Sequence, residues 1–282
     1  MTVLSVDDVV DFILDNNQCY YLTHRKLQKI LYYCQGVHLA KTGVPLFKEK
    51  IEAWDFGPVC PSVYHKLKHN GGNALHSTAP ADQRKFTKES MLLILSVLAF
   101  FGEYNQNELI EFTHIDVPWA SNYVQYENNE LKIDVLKDYF SSFSSFSQYI
   151  EHQNKRMEFK SLIQSRRAYL ISLQNLGDNW LSSPSKSPSK KSTKLASDIL
   201  SLARNLVNQR VDSSIPKLVM GPIPSGGVGI EFDFNNLKRL FVNIYDDNLV
   251  EFDIEDSGFF TDEDSSFDYA LSTFNKIYME LS

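Results

Sequence analysis

Apolar residues recur at helical spacing from the start of the chain. Ser5 followed by Asp8 has the form of a capping box, and Val9, Val10, Ile13 and Leu14 follow at helical intervals. A second helix is marked more strongly. Thr23 sits as its N-cap, Leu27, Ile30, Leu31, Cys34, Val37 and His38 form one stripe, and Gly43 with Pro45 stops it. Gly36 lies inside this helix, where it costs about 1 kcal/mol relative to Ala, so it is expected to admit a close helix contact. Residues 46–56 read as extended, and Gly57-Pro58 as a turn. Pro61 opens a short helix over 62–69 that ends at Gly71-Gly72. Residues 88–103 are apolar nearly all round and are expected at the centre of the fold. Further amphipathic stretches span 105–113, 130–153 and 154–176.

The period changes in the last third. After a helix near 194–209, carrying Leu195, Ile199, Leu202, Leu206 and Val207, apolar residues alternate with polar ones. Val228, Ile230, Phe232 and Phe234 predict a half-buried antiparallel strand. Asn235-Asn236 reads as a turn into Leu240, Val242 and Ile244. Asp246-Asp247-Asn248 then turns into Val250, Phe252 and Ile254. A final helix is expected from Ser265, burying Phe267, Leu271, Phe274, Ile277 and Leu281. The class is therefore α+β: a mainly α-helical N-terminal domain, then a small antiparallel β-meander of three or four strands packed with helices.

Charge divides the 282 residues more sharply than hydropathy does. The formal net charge of −7 resolves into −5 over 1–154, +8 over 155–210 and −10 over 211–282. The expected organisation is a helical domain over 1–153, a helical connector over 154–210 and an acidic sheet module over 211–282. SSPSKSPSKKSTK at 182–194 reads either as a solvated linker or as a basic binding patch. The longest apolar run, Met91 to Phe101, is too short to cross a bilayer, and Asp7, Asp8 and Asp11 stand where an export signal would carry positive charge. Three dispersed cysteines, Cys19, Cys34 and Cys60, fit a reducing cytoplasm.

Catalytic signatures do not emerge. Gly226-Gly227-Val228-Gly229 precedes a strand and lacks a GK[ST] ending, so it reads as a hairpin entry. His65 and His69 share a helix face with Cys60 nearby, but without a third ligand at fixed spacing they read as a solvated face. Glu251 and Asp253 fall on the polar side of a strand. Nothing calls for a metal or a cofactor. A hydrolase built on His24, His38 or His114 is a minor alternative, and DNA binding through the basic block is another.

Two blocks carry a resemblance. KLQKILYYCQGVHLAKTGVPLF at 26–47 with IEAWDFGPVCPSVYHKLKHNGG at 51–72, followed by ELIEFTHIDVPW at 108–119, resemble the Panacea (SocA-like) antitoxin domain over about residues 1–150. Cys34 and Cys60 stand where that family usually has small or aliphatic residues, which argues against a thiol role. The resemblance implies an antitoxin of a bacterial or prophage toxin–antitoxin system. It would neutralise a protein toxin, encoded next to it, by direct contact and without catalysis. Delivery of the toxin to a protease and autoregulation of the operon are the alternatives. Lys26, Gln28 and Lys29 either meet the partner or face water. Tyr32, Tyr33, Trp54, Phe56 and Tyr64, with Trp119, are either interface anchors or core. Gly36, Gly57, Pro58, Pro61, His114 and Trp119 are candidate structural positions. The second half resembles a module of uncharacterised bacterial and prophage proteins through Leu176, Asp178, Trp180, Pro222, Pro224 and Ile230-Glu231-Phe232, which places 176–210 with that module.

Overall fold

A run that is apolar on one face can pack on a neighbour, but a helix touched from every side must bury its polar residues too. The N-terminal half is organised around such a helix. The computed structural model describes residues 3–17, 19–78, 80–181, 184–209, 215–235 and 237–282. They form two compact units, 1–153 and 154–282.

The first unit holds α1 (Val6–Asn16), α2 (His24–Thr42), β1 (Glu52–Trp54), β2 (Gly57–Val59), α3 (Pro61–Leu67), α4 (Lys88–Phe101), α5 (Gln106–Ile115), α6 (Val117–Ala120), β3 (Asn129–Glu130) and α7 (Ile133–Ser141), and the start of α8 (Phe146–Leu173). Thr23 caps α2 through its side chain, and Gly43 ends it in a left-handed conformation, as expected. Helix α2 packs on α1, α3, α4, α5, α7 and β2, and fourteen of its nineteen residues are buried. Gly36 is what lets α7 approach: a Cβ there would lie 2.1 Å from the Phe140 ring.

Two expectations change here. The central helix is α2, and the apolar α4 is peripheral: it buries Leu93, Ile94, Val97, Leu98 and Phe101 but leaves Leu92 55% exposed. The turn lies at Asp55-Phe56, and Gly57-Pro58 opens β2 instead, with Trp54 opposite Gly57. The strand order β2-β1-β3 puts Pro58 on an edge, where its missing N–H costs no ladder bond. The 130–153 stretch breaks at Ser142–Ser145, where Ser144 N–H donates to Gln148 Oε1 and Ser145 Oγ accepts from Gln148 N–H.

The second unit holds the rest of α8, α9 (Lys190–Gln209), β4 (Lys217–Pro222), β5 (Gly227–Asn235), β6 (Lys238–Tyr245), β7 (Leu249–Asp256), β8 (Phe259–Ser266) and α10 (Ala270–Leu281). The strands form an antiparallel meander in chain order, β4-β5-β6-β7-β8. Val228, Ile230, Phe232, Leu240, Val242, Ile244, Val250 and Phe252 face a core completed by α9 and α10 through Leu200, Ala203, Val207, Phe274 and Ile277. The α+β class stands as expected, but the meander has five strands. Strand β8 extends through Ser266, so the last helix starts at Ala270 instead of Ser265, and Leu271 is exposed while Tyr278 is buried. The expected turn at Asn235-Asn236 includes Asn236, which lies outside the described residues.

Residues 154–210 and 211–282, expected as connector and sheet module, fall in one unit because α9 lays its apolar face on β5 and β6. The Ser/Pro stretch is folded into that unit over its described part. Asp178 Oδ1 accepts from Ser187 N–H, Trp180 Nε1 donates to the Lys186 carbonyl, and Ser189 Oγ caps α9 by accepting from Ser192 N–H. Of the basic block, Arg156 is spent inside the core, where its guanidinium donates to the Val207 carbonyl.

Candidate functional site

Burying most of α2 obliges each of its buried polar side chains to find a partner or to bear the cost of lacking one. Most find a loop carbonyl or amide. Lys26 Nζ donates to the Gly102 carbonyl, and burial lowers its pKa. Gln35 Oε1 accepts from Leu46 and Phe47 N–H while its amide donates to the Phe47 carbonyl at 3.0 Å. His38 Nδ1 lies 2.9 Å from the Val44 carbonyl. These groups hold loops on the helix. Lys26 is therefore a tether, not a solvent- or partner-facing cation. Tyr32 and Tyr33 are fully buried and cannot anchor a partner; Tyr33 stacks on Phe101 at 3.8 Å.

The remaining predicted partner-binding residues do converge. Gln28, Lys29, Trp54, Phe56 and Tyr64 line one cleft of about 710 Å³, with His24, Arg25, Asp55, Lys68, Gln106, Tyr126 and Asn128. The β1–β2 hairpin forms one wall and α3 another. Gly57 has φ 93°, and a Cβ on it would lie 2.7 Å from Lys29 Nζ and from Thr113 Oγ1, so only Gly fits between hairpin and helix. Trp54 Nε1 donates to Glu52 Oε2 at 2.9 Å, and its ring meets Tyr64 edge-on at 4.8 Å. Arg25 lies over the Phe56 ring at 5.1 Å and Lys68 over Tyr64 at 5.9 Å, so both cations stand on aromatic faces.

Lys29 is the electrostatic centre of this cleft. Its ammonium donates to the Pro58 carbonyl at 3.0 Å, and no salt-bridge partner is among the described residues. Burial first, and the nearby Arg25 second, lower its pKa to about 7. Burial also lowers His24.

The THIDVPW block builds a second arrangement behind the cleft. Trp119 Nε1 donates to the Trp54 carbonyl at 3.0 Å, while its ring stacks between His114 at 4.1 Å and Tyr123 at 4.5 Å. Asp116, fully buried, accepts from the Tyr139 hydroxyl and the Gln153 amide at 2.5 Å and from the Tyr149 hydroxyl at 3.0 Å. Desolvation outweighs these bonds and raises its carboxyl to about 6. This cage joins α6, α7 and α8. Asp116 was legible only as an acid stranded between Ile115 and Val117-Pro118, and Arg25 and Lys68 only as cations beside the motif aromatics.

Two histidines of the hydrolase alternative, His24 and His38, do not meet. His24 and His38 lie fourteen residues apart on one helix, about 21 Å at 1.5 Å per residue, and His38 is held by the Val44 loop. No group of three His, Cys, Asp or Glu is placed to hold a metal among the described residues. Burial raises the thiols of Cys34 and Cys60, which suits packing and not nucleophilic chemistry. No helix among the described residues is long and apolar enough to cross a membrane.

Residues 27–120 match the family described as antitoxin SocA-like, Panacea domain. The matched segment contains Gln28, Lys29, both strands of the hairpin, Tyr64, Asp116 and Trp119. It ends before α7 and the second unit. Antitoxin SocA of Caulobacter vibrioides (strain NA1000 / CB15N) is 44% identical over 50 residues, which are 18% of this chain and 27% of that protein. The chain thus spans about a quarter of the length of this curated relative. No solved structure matches the chain.

Proposed function

We propose that the chain is an antitoxin that neutralises a protein toxin by direct binding, with the α2–hairpin cleft as the contact. The supporting observation is that Gln28, Lys29, Trp54, Phe56 and Tyr64 of the Panacea-like segment meet at one open cleft, where Phe56 is 57% exposed on a hairpin tip and Lys29 is buried without a countercharge among the described residues. A half-exposed aromatic beside a buried, incompletely paired polar group is what an interface hot spot is built from. The name of the Caulobacter relative agrees with this role. A protein contact needs neither a metal nor a cofactor.

Co-expression with the neighbouring reading frame is the test. Growth inhibition by that frame should be relieved by this chain, and the two proteins should co-elute. The exposed substitutions Phe56→Ala and Arg25→Glu should abolish relief while leaving the unfolding midpoint unchanged. Absence of both relief and complex with the wild-type chain would overturn the reading.

A further inference from the structure

We propose that the α2–hairpin cleft is a carboxylate-recognition site, and that a carboxylate presented by the bound protein is the group it takes; this rests on reading the cleft as the toxin contact. The inner polar groups are short of an acceptor. Gln28 is 2% exposed, and its carbonyl oxygen is used by Cys60 N–H at 2.7 Å. Its amide nitrogen has no partner among the described residues. Lys29 carries three N–H bonds, and the hydrogen bond to Pro58 uses one. His24, 6% exposed, leaves Nδ1 without a partner among the described residues, and in the tautomer that carries its proton there it is a third such donor. A buried donor without an acceptor is costly, and an oxygen anion supplied from outside removes that cost.

The rim repeats the pattern. Arg25 and Lys68 bring two more cations, each held on an aromatic ring. A carboxylate beside Lys29 would also restore the charged form that burial disfavours.

The same features favour a carboxylate over a phosphate. Phosphate seats draw on free backbone amides at a helix N-terminus, and here the Thr23 hydroxyl already takes the Lys26 N–H. Gly71-Gly72 lead into irregular chain and not into a helix. Asp55 on the wall repels a dianion more than a monoanion. The walls of Trp54 and Tyr64 suit the methylene stem of an acidic side chain.

Titration of the ¹⁵N-labelled full chain with small probes tests this. The probes are N-acetyl-tetraglutamate amide, N-acetyl-tetraglycine free acid, N-acetyl-tetraglutamine amide and inorganic phosphate. The side-chain amide of Gln28 should shift saturably with at least one acid peptide and not with the neutral one. Which acid peptide binds more tightly tells a side-chain carboxylate from a terminal one. Arg25→Gln, exposed and safe for folding, should weaken the response at least tenfold. Gln28→Glu, which keeps the acceptor for Cys60 but reverses the inner donor, should abolish it, read at Arg25 Nε. No saturable shift with either acid, an equal shift with the neutral peptide, or saturation by phosphate at lower concentration overturns the proposal. If the wild-type chain relieves toxicity but no acid probe binds, the carboxylate inference fails alone. If acid probes bind but no relief is seen, the toxin reading fails and the site stands.

Discussion

The two units bury their cores in opposite ways. In the second, burial alternates along β5 and β6, and the fully buried side chains of the described meander are apolar: Val228, Ile230, Phe232, Leu240, Val242 and Ile244 lie in, while Glu231 and Asp233 between them are only half-buried. In the first, the central helix hides Lys26, Gln28, Lys29, Gln35 and His38 together with its leucines and tyrosines. A sheet with one open face can sort its residues by period alone, whereas a helix surrounded on all sides cannot. The difference locates specificity in α2. Its buried polar groups tie backbone at Val44, Phe47, Pro58 and Gly102, and the hairpin held at Pro58 forms a wall of the cleft.

The largest effect should come from removing a buried charge that other groups surround. Asp116→Ala takes the acceptor from the Tyr139 and Tyr149 hydroxyls and the Gln153 amide and leaves a void, and should cost about 3–5 kcal/mol in urea unfolding. Its pH dependence gives an independent reading. The folded carboxyl titrates near 6 against an ordinary 3.8, so the native state holds the proton more tightly. Stability from this group therefore rises as pH falls from above 6 towards 4 and is level below that. Asp116→Asn should erase that slope.

Lys29→Met should act in the opposite direction and separate folding from binding. Desolvation holds the ammonium near 7, well below 10.5, so the charged form is disfavoured in the native state. Wild-type stability should climb with pH between about 7 and 10.5, and the variant should lack that climb. At pH 6 the variant should be more stable by on the order of 1–3 kcal/mol while losing relief of toxicity. A destabilised variant that still relieves toxicity would put Lys29 among the loop tethers with Lys26.

Gly36→Ala probes the same helix by packing. The added methyl would lie 2.1 Å from a Phe140 ring that is itself wedged against Tyr32 and Tyr139. Overpacking should outweigh the gain in helix propensity and leave a net loss of about 1–2 kcal/mol.

These cases also mark what could be read before the structure. Gly36 was legible because glycine inside a strong helix has few other uses. The strands of the second unit were legible wherever period two was clean, from Val228 to Ile254. Strand β4 was hidden by Gly221 and Pro222, and β8 by its acids, which are poor strand formers. The cleft was half legible. The motif gave Gln28, Lys29, Trp54, Phe56 and Tyr64, but not that Tyr32 and Tyr33 turn inward. A stripe of apolar positions shows which face of a helix must be covered, and says nothing of whether the other faces are covered as well.

The smallest predicted effect sharpens the comparison from the side of the sheet. On its open face β7 and β8 set like charges directly opposite each other, Glu251 against Asp264 and Asp253 against Asp262. Strand β6 answers in part, with Tyr245 OH donating to Glu251 at 2.6 Å and Asn243 reaching Asp253 at 3.4 Å. Desolvation and then Asp262 still raise the Asp253 carboxyl. Opposed like charges cost a strand pair a few tenths to about 1 kcal/mol, so Asp262→Asn should stabilise the chain by roughly that much at low salt and by less at high salt. The Asp253 carboxyl should fall towards its ordinary value in the same variant. If the ladder only kept an edge strand from pairing with other chains, its neutralisation would change solubility and leave toxin relief intact. Loss of relief in a stabilised Asp262→Asn chain would instead mean that partner contact extends beyond the cleft, to a surface whose charge opposes that of Arg25, Lys29 and Lys68.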